Sequence, residues 1–185
     1  NWFVLAVGVA YTLLITPIIV RAFGQEQYGV WSFLNGLLAY SDVLYFGLGS
    51  AFVKYVAESR ARGDQAAVNR LASVVTLIYA ALGGVCLLVA LGLSGFVTAI
   101  FAQPLSPDVA RAATFTCMLL GAQLFFVFVG SAFVGLLSGY ERYDLANAVY
   151  LVGVVIRFVA TPLLVRPGHD PLLTLAVLSA VTSGL

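Results

Sequence analysis

Apolar residues in this chain fall in long, nearly unbroken blocks. They neither alternate as in a half-buried strand nor recur once per helical turn as in a surface helix. The blocks cover residues 2–20, 28–56, 71–101, 112–137, 145–165 and 171–185. A bilayer-spanning helix takes about 20 mostly apolar residues. The pattern therefore predicts an all-α fold, a polytopic membrane bundle of six hydrophobic helices. The second and third blocks exceed what one bilayer needs, so tilting or extension into water is expected.

Punctuation between the blocks supports these breaks. Gly63 followed by Asp64 reads as a C-terminal glycine and then an N-cap. Ser106-Pro107-Asp108 reads as N-cap, proline at the first helical position and an acid in the first turn. Asp144 is placed to cap the fifth helix, and Asp170-Pro171 repeats the cap-then-proline pattern for the sixth. Short connections make consecutive helices antiparallel neighbours. The exits of the first and fifth helices echo each other: Thr16-Pro17 leads to Arg21 as Thr161-Pro162 leads to Arg166. Each proline removes a backbone hydrogen bond, and the preceding threonine hydroxyl is placed to satisfy the freed group.

Composition agrees with lipid as the solvent. Hydrophobic residues make up 62% of the 185 residues and charged residues 9%, against roughly a quarter charged in a soluble domain. Mean hydropathy is +1.03. The net charge of +1 points to no acidic partner and no nucleic acid. Cys86 and Cys117 sit inside apolar blocks and read as small buried hydrophobes rather than a disulfide. The chain begins at Asn1, inside an apolar run almost at once, and ends at Leu185 inside another. Both ends read as cut, so an amino-terminal part of a longer protein is expected, with no charged leader before the first block. If the first helix starts in the cytoplasm, the inner loops hold Lys54, Arg60, Arg62, Arg70 and Arg142, and the outer ones Arg21, Arg111 and Arg166. That bias favours a cytoplasmic amino terminus.

Ionisable groups inside a bilayer are costly and are functional candidates by default. Arg157 lies near the middle of the fifth block, and Asp42 lies inside the second. Positions seven apart on a helix differ by only about 20°. Asp42 thus shares a face with Asn35 and Gly49, and Arg157 with Tyr150 and Leu164, flanked by Gly153 and Thr161. The fourth helix carries Thr116, Gln123 and Gly130 at the same interval. The functional reading is a water-filled cavity with a cationic centre. The structural reading is helix packing, with small residues allowing close approach and polar ones bonding across. An Asp42–Arg157 ion pair is the main structural alternative for the two charges.

Weaker signals read as structure. Gly135 and Gly139 form a GxxxG pair, common by chance among 18 glycines. Gly47-Leu48-Gly49 is no nucleotide loop. Trp31 and Tyr28 fit interfacial anchors, and residues 54–70 a solvated inner loop with anionic head groups as an alternative contact. No metal-ligand spacing, nucleophile–base pair or phosphate loop occurs, and the single histidine, His169, lies in a loop. An enzyme and a bound cofactor are not expected.

Residues 16–64 carry a more specific pattern: Pro17, Arg21, Gly24, Glu26, Tyr28 and Gly29, then Gly47, Gly49, Lys54 and Tyr55, then the turn Arg62-Gly63-Asp64. With the inner-loop segment Gly139-Tyr140-Glu141-Arg142-Tyr143, this resembles the opening of bacterial polysaccharide flippases. These are the O-antigen-type lipid-linked oligosaccharide transporters of the multidrug/oligosaccharidyl-lipid/polysaccharide exporter superfamily. The match departs in one place: Tyr45-Phe46 stand where many members place an aspartate, and Asp42 lies one turn earlier. The resemblance implies one lobe of a two-lobed transporter, partnered by a carboxy-terminal bundle of the same parent chain. It implies alternating access across the bacterial inner (plasma) membrane and a lipid-linked oligosaccharide substrate on undecaprenyl pyrophosphate. Arg157, Asp42, Asn35, Gln123, Tyr150, Arg21 and Lys54 are then the cavity candidates, with Arg157 drawn to the pyrophosphate. The alternatives are a cation-coupled multidrug exporter of the same superfamily, a membrane enzyme of glycan assembly and a helical scaffold. Asp42 as the sole membrane acid gives the coupled exporter thin support, and the absence of a large acidic loop argues against the enzyme.

Overall fold

A computed structural model of the protein describes residues 2–23, 25–39, 48–101, 105–164 and 171–183. Its helices are α1 (Trp2–Ala22), α2 (Gln25–Ala39), α3 (Leu48–Ala61), α4 (Gln65–Ser94), a short 3-10 helix (Val97–Ile100), α5 (Pro107–Gly139), α6 (Tyr143–Leu164) and α7 (Pro171–Ser183). No strand occurs among the described residues. The block at 28–56 is occupied by α2 and α3. Residues 40–47 between them, Asp42 included, lie outside the described residues, as do His169 and Asp170. The third block extends to residue 101, but α4 stops at Ser94. There the Ser94 hydroxyl donates to the Leu91 carbonyl at 2.7 Å and Gly95 follows, both of which favour a helix end.

Among the described residues three helices are long and apolar enough to cross a membrane: α4, α5 and α6. At 1.5 Å per residue α4 and α5 reach about 45 and 50 Å, against a hydrocarbon core of about 30 Å. Their apolar side chains face outward as well as inward. Leu77, Leu88 and Phe96 are each more than two-thirds exposed. A water-soluble monomer rarely leaves so much contiguous apolar surface open, whereas a bilayer accepts it.

Helix α5 is the centre of the bundle and packs against α2, α3, α4, α6 and α7. Small residues on α5, and one on α4, set how close its neighbours come. A Cβ on Gly139 would lie 2.7 Å from Val56 Cβ, and one on Gly135 2.7 Å from the Phe52 ring. Phe52 and Val56 are one turn apart on α3, so the Gly135–Gly139 pair forms a groove for a single α3 ridge. Where α4 meets α5, a Cβ on Gly121 would collide with Ala90 Cβ, and one on Gly83 would sit 3.0 Å from Phe125 Cα. Tyr79 and Phe128 close this seam edge-to-face at 6.3 Å and are fully buried. The first half of α5 buries Val109, Ala112, Ala113, Cys117 and Leu120 together with Val30 and Leu34 of α2 and Leu172 and Leu175 of α7. Thus α2 covers the start of α5 and α3 its end.

The helix ends are held by polar groups whose positions the sequence marks. Gly63 has φ of +71°. Its N–H donates to the Arg60 carbonyl at 2.9 Å, and that of Asp64 to Ser59 at 3.0 Å, the paired bonds of a Schellman end. Asp64 then opens α4, its Oδ1 accepting from the Ala67 N–H at 2.8 Å. Two expected caps differ in their chemistry. Ser106 occupies the N-cap position of α5, but its hydroxyl makes no cap bond. Its N–H and Oγ instead donate to the Glu26 carboxylate at 2.6 and 3.2 Å. Glu26 therefore pins α2 to the start of α5, where the helix dipole favours a negative charge. Asp144 lies within the first turn of α6 and pairs with Arg142 at 3.1 Å. At the far end of α5, Arg142 N–H donates to Leu137 at 2.9 Å and Glu141 N–H to Ser138 at 3.0 Å. This is a second Schellman end, with Glu141 at φ of 59° in the place glycine usually takes.

Two substitutions test this packing. Gly139→Ala, which drives a methyl into Val56, lowers unfolding stability by about 1–3 kcal/mol. Gly130→Ala on the same helix, where a Cβ meets nothing within 4 Å, is neutral or stabilising. Chemical denaturation in detergent distinguishes the two, and equal effects would refute the groove. Glu141→Gly relieves the left-handed backbone and raises stability by about 0.5–1 kcal/mol in the same assay.

Candidate functional site

Contacts between loops fix where the basic residues gather at the ends of the bundle. At one end Arg60 donates to the Tyr140 carbonyl at 3.0 Å and lies 5.2 Å from the Tyr140 ring centre. The Tyr140 hydroxyl in turn exchanges hydrogen bonds with the Gln65 amide at 3.1 and 3.2 Å. The α3–α4 and α5–α6 turns are thereby latched together, and Arg60, Arg62 and Arg142 gather at one face. The opposite end holds the Glu26–Ser106 contact, with exposed Arg21 and Arg111 on the helices that meet there.

Arg157 is half-buried on α6, seven residues from its end. Its Nε donates to the Thr182 hydroxyl and its terminal nitrogen to the Ser179 carbonyl at 3.4 Å. Thr182 passes its own hydroxyl to the Leu178 carbonyl at 2.8 Å. Gly153, one turn before Arg157, opens the seam: a Cβ there would lie 3.7 Å from the Thr182 carbonyl. The Arg157 guanidinium thus bonds to a buried hydroxyl and a main-chain carbonyl of α7. Thr182 and Ser179 were not among the expected site residues. Their signal is the three-residue spacing of two hydroxyls on the last apolar block.

The remaining candidates are distributed. Tyr150, on the Arg157 stripe, is half-exposed and turns to α1 instead, its hydroxyl 3.1 Å from where a Gly8 Cβ would sit. Asn35 is half-buried on α2, and its amide nitrogen donates to the Trp31 carbonyl at 3.0 Å. It lines a cavity of about 200 Å³ with Thr16 and Ile19 of α1 and Tyr28, Trp31 and Ser32 of α2. Gln123 is half-buried on α5. Its Oε1, together with the hydroxyls of Thr116 and Thr161, is buried with no hydrogen-bond partner. Arg21 is exposed at the end of α1, and Lys54 is exposed on α3 with its ammonium 5.9 Å from the Tyr55 ring centre. Asp42 lies outside the described residues.

A second cavity, about 420 Å³, is apolar and lies between α2, α4 and α5, with Leu34, Val89, Leu120 and both thiols, Cys86 and Cys117, on its wall. Neither cavity is walled by Arg157 or Gln123. Among the described residues no cluster of three or more histidine, cysteine, aspartate or glutamate side chains is placed to hold a metal.

No family model, no curated protein and no solved structure matches this chain.

The Arg157 seam predicts a specific asymmetry. Thr182→Val removes a charge-assisted partner and lowers stability in detergent by about 1 kcal/mol, near the usual size of an intramembrane hydrogen bond. Thr161→Val removes a buried hydroxyl that makes no bond and leaves stability unchanged or higher. Thermal unfolding of the two variants checks the contrast.

Proposed function

We propose that this chain is one lobe of a membrane transporter that moves a lipid-linked oligosaccharide across the bacterial inner membrane by alternating access. The second lobe is a further helical bundle of the same protein. The observation that carries the reading is Arg157. A permanent positive charge on an apolar helix is expensive and marks a functional site by default, and Arg157 is such a charge on α6. A guanidinium presents paired donors that match phosphate oxygens, and a pyrophosphate is the charged group of such a substrate. The residue pattern over 16–64 supports the same reading. So does Glu26, a member of that pattern, which ties α2 to α5. The bias of Arg60, Arg62 and Arg142 to one end favours that end, and with it the amino terminus, in the cytoplasm.

In this reading α6 and α7 present the cation to the substrate's pyrophosphate. The glycan occupies polar surface between the lobes, and the isoprenoid tail stays in lipid. The general scheme needs the lobes to rock about a site near the membrane midplane, and this reading assigns Arg157, seven residues from the end of α6, to that site.

The test is export of a lipid-linked oligosaccharide by the full-length protein in bacteria lacking their own flippase, read as surface glycan. Wild type restores it. Arg157→Ala inserts to the same level and exports about 10–100-fold less, the loss expected for one charge-assisted contact. Arg157→Lys, which keeps charge but loses the paired donors, recovers part of the activity. Full export by Arg157→Ala would refute the role given to the cation.

A further inference from the structure

The cavity between α1 and α2 has a chemistry of its own. The six described residues that line it carry no charge, so none of them pairs with a phosphate, a carboxylate or an ammonium as an opposite charge would. It is not a lipid-tail groove either, since Thr16, Ser32 and Asn35 give it hydroxyls and an amide. Beside these stand two aromatic rings, Tyr28 and Trp31, and the apolar edge of Ile19. Flat apolar faces next to neutral hydrogen-bonding groups suit a ligand that is itself apolar on its faces and polar on its rim.

Size narrows the choice further. A volume of about 200 Å³ falls below the roughly 300–1,000 Å³ of pockets for drug-sized ligands. One six-membered ring with its hydroxyls fits that space, and two linked rings do not. The wall is also held in position. Phe23 meets Trp31 edge-on at 6.2 Å and 89°, and Trp31 and Tyr28 pack against the core formed by α2, α5 and α7. The Asn35 amide spends one N–H on the Trp31 carbonyl. That bond orients the amide and leaves its oxygen and second N–H available to a ligand.

We infer that this cavity is a saccharide subsite taking a single pyranose ring, with Trp31 and Tyr28 against the ring's apolar face and Asn35, Ser32 and Thr16 on its hydroxyls. The physiological source of the ring, a glycan carried on lipid, rests on the transport reading above. The recognition chemistry rests on the cavity alone.

Trp31 supplies the readout. These 185 residues hold two tryptophans, Trp2 and Trp31, so replacing Trp2, and any tryptophan of the protein outside them, by phenylalanine leaves Trp31 as the reporter. The full-length protein, purified in a detergent without a sugar head group, is titrated with methyl glycosides of common hexoses and N-acetylhexosamines, and with inorganic phosphate. The expected result is a saturable change in Trp31 emission with at least one glycoside and none with phosphate. Asn35→Leu and, separately, Ser32→Ala weaken that response about tenfold, the effect of losing a hydrogen-bonding group in a binding pocket. Two variants at exposed and half-buried positions guard against one that fails to fold. A flat response to every glycoside, or a midpoint unchanged in both variants, overturns the subsite. The export assay separates this result from the transport reading. Glycosides that titrate Trp31 in a protein unable to restore surface glycan leave the subsite standing and remove the transporter. Restored export with a silent Trp31 does the reverse.

Discussion

Everything else in the structure depends on how closely other helices approach α5. Between helices in lipid no hydrophobic force draws them together, because lipid tails are as apolar as leucine. Contact area has to come from backbone proximity, and backbone proximity needs missing side chains. Gly135 and Gly139 admit Phe52 and Val56 of α3, and Gly121 and Gly83 bring α4 alongside. Each glycine sacrifices helix propensity, roughly 1 kcal/mol against alanine in an exposed helix. The fully buried Tyr79, Phe128 and Val56 show what is gained in return. With α3 and α4 fixed on one side of α5, its other side is free to receive α2 and α7.

Once α5 is placed, polar groups need only set the ends. Three helix ends are held in this way: two Schellman ends, at Gly63-Asp64 and at Glu141, and the Glu26 carboxylate under Ser106. The Tyr140 latch couples two of these turns, so the angle between α3 and the α5–α6 hairpin is set at the membrane edge. Surface ion pairs add little. Arg62–Glu58 at 2.6 Å is exposed on both partners, where such pairs contribute at most about 1 kcal/mol.

The helical character of the chain was legible in the sequence, and helix faces were not. Apolar blocks and caps mark where a span starts and stops because water-exposed backbone must be satisfied. The positions of Asp64 and Pro107 in the structure follow that logic. Facing is different. In a soluble helix one side is polar, whereas α5 is apolar on nearly every side, so hydropathy says nothing about which stripe meets protein. The GxxxG pair at 135–139 looked like chance for that reason, and only the three-dimensional register with Phe52 and Val56 gives it a partner. The Glu26–Ser106 contact was invisible for another reason: its partners are separated by 80 residues, and Ser106 has an ordinary local use as its own cap. For the candidate site, the charge at Arg157 was legible from its cost in lipid. Its partners Ser179 and Thr182 were not, because single hydroxyls are common in such helices.

The buried polar atoms left over make one further point. Thr116, Gln123 and Thr161 each bury an oxygen that accepts and donates nothing, at a cost of about 1–3 kcal/mol where a polar group is left unpaired. A bundle held together by packing alone has no use for them, since valine or leucine would fill the same volume at no such cost. Arg157, one turn from Thr161, is by contrast engaged with α7. The α5–α6–α7 side of the bundle therefore carries a satisfied cation beside unsatisfied neutral groups. That arrangement suits a surface whose hydrogen-bonding is completed in a second arrangement of the helices or by a bound polar molecule. The α3–α4 side is joined to α5 by apolar contacts at Gly135, Gly139 and Gly121.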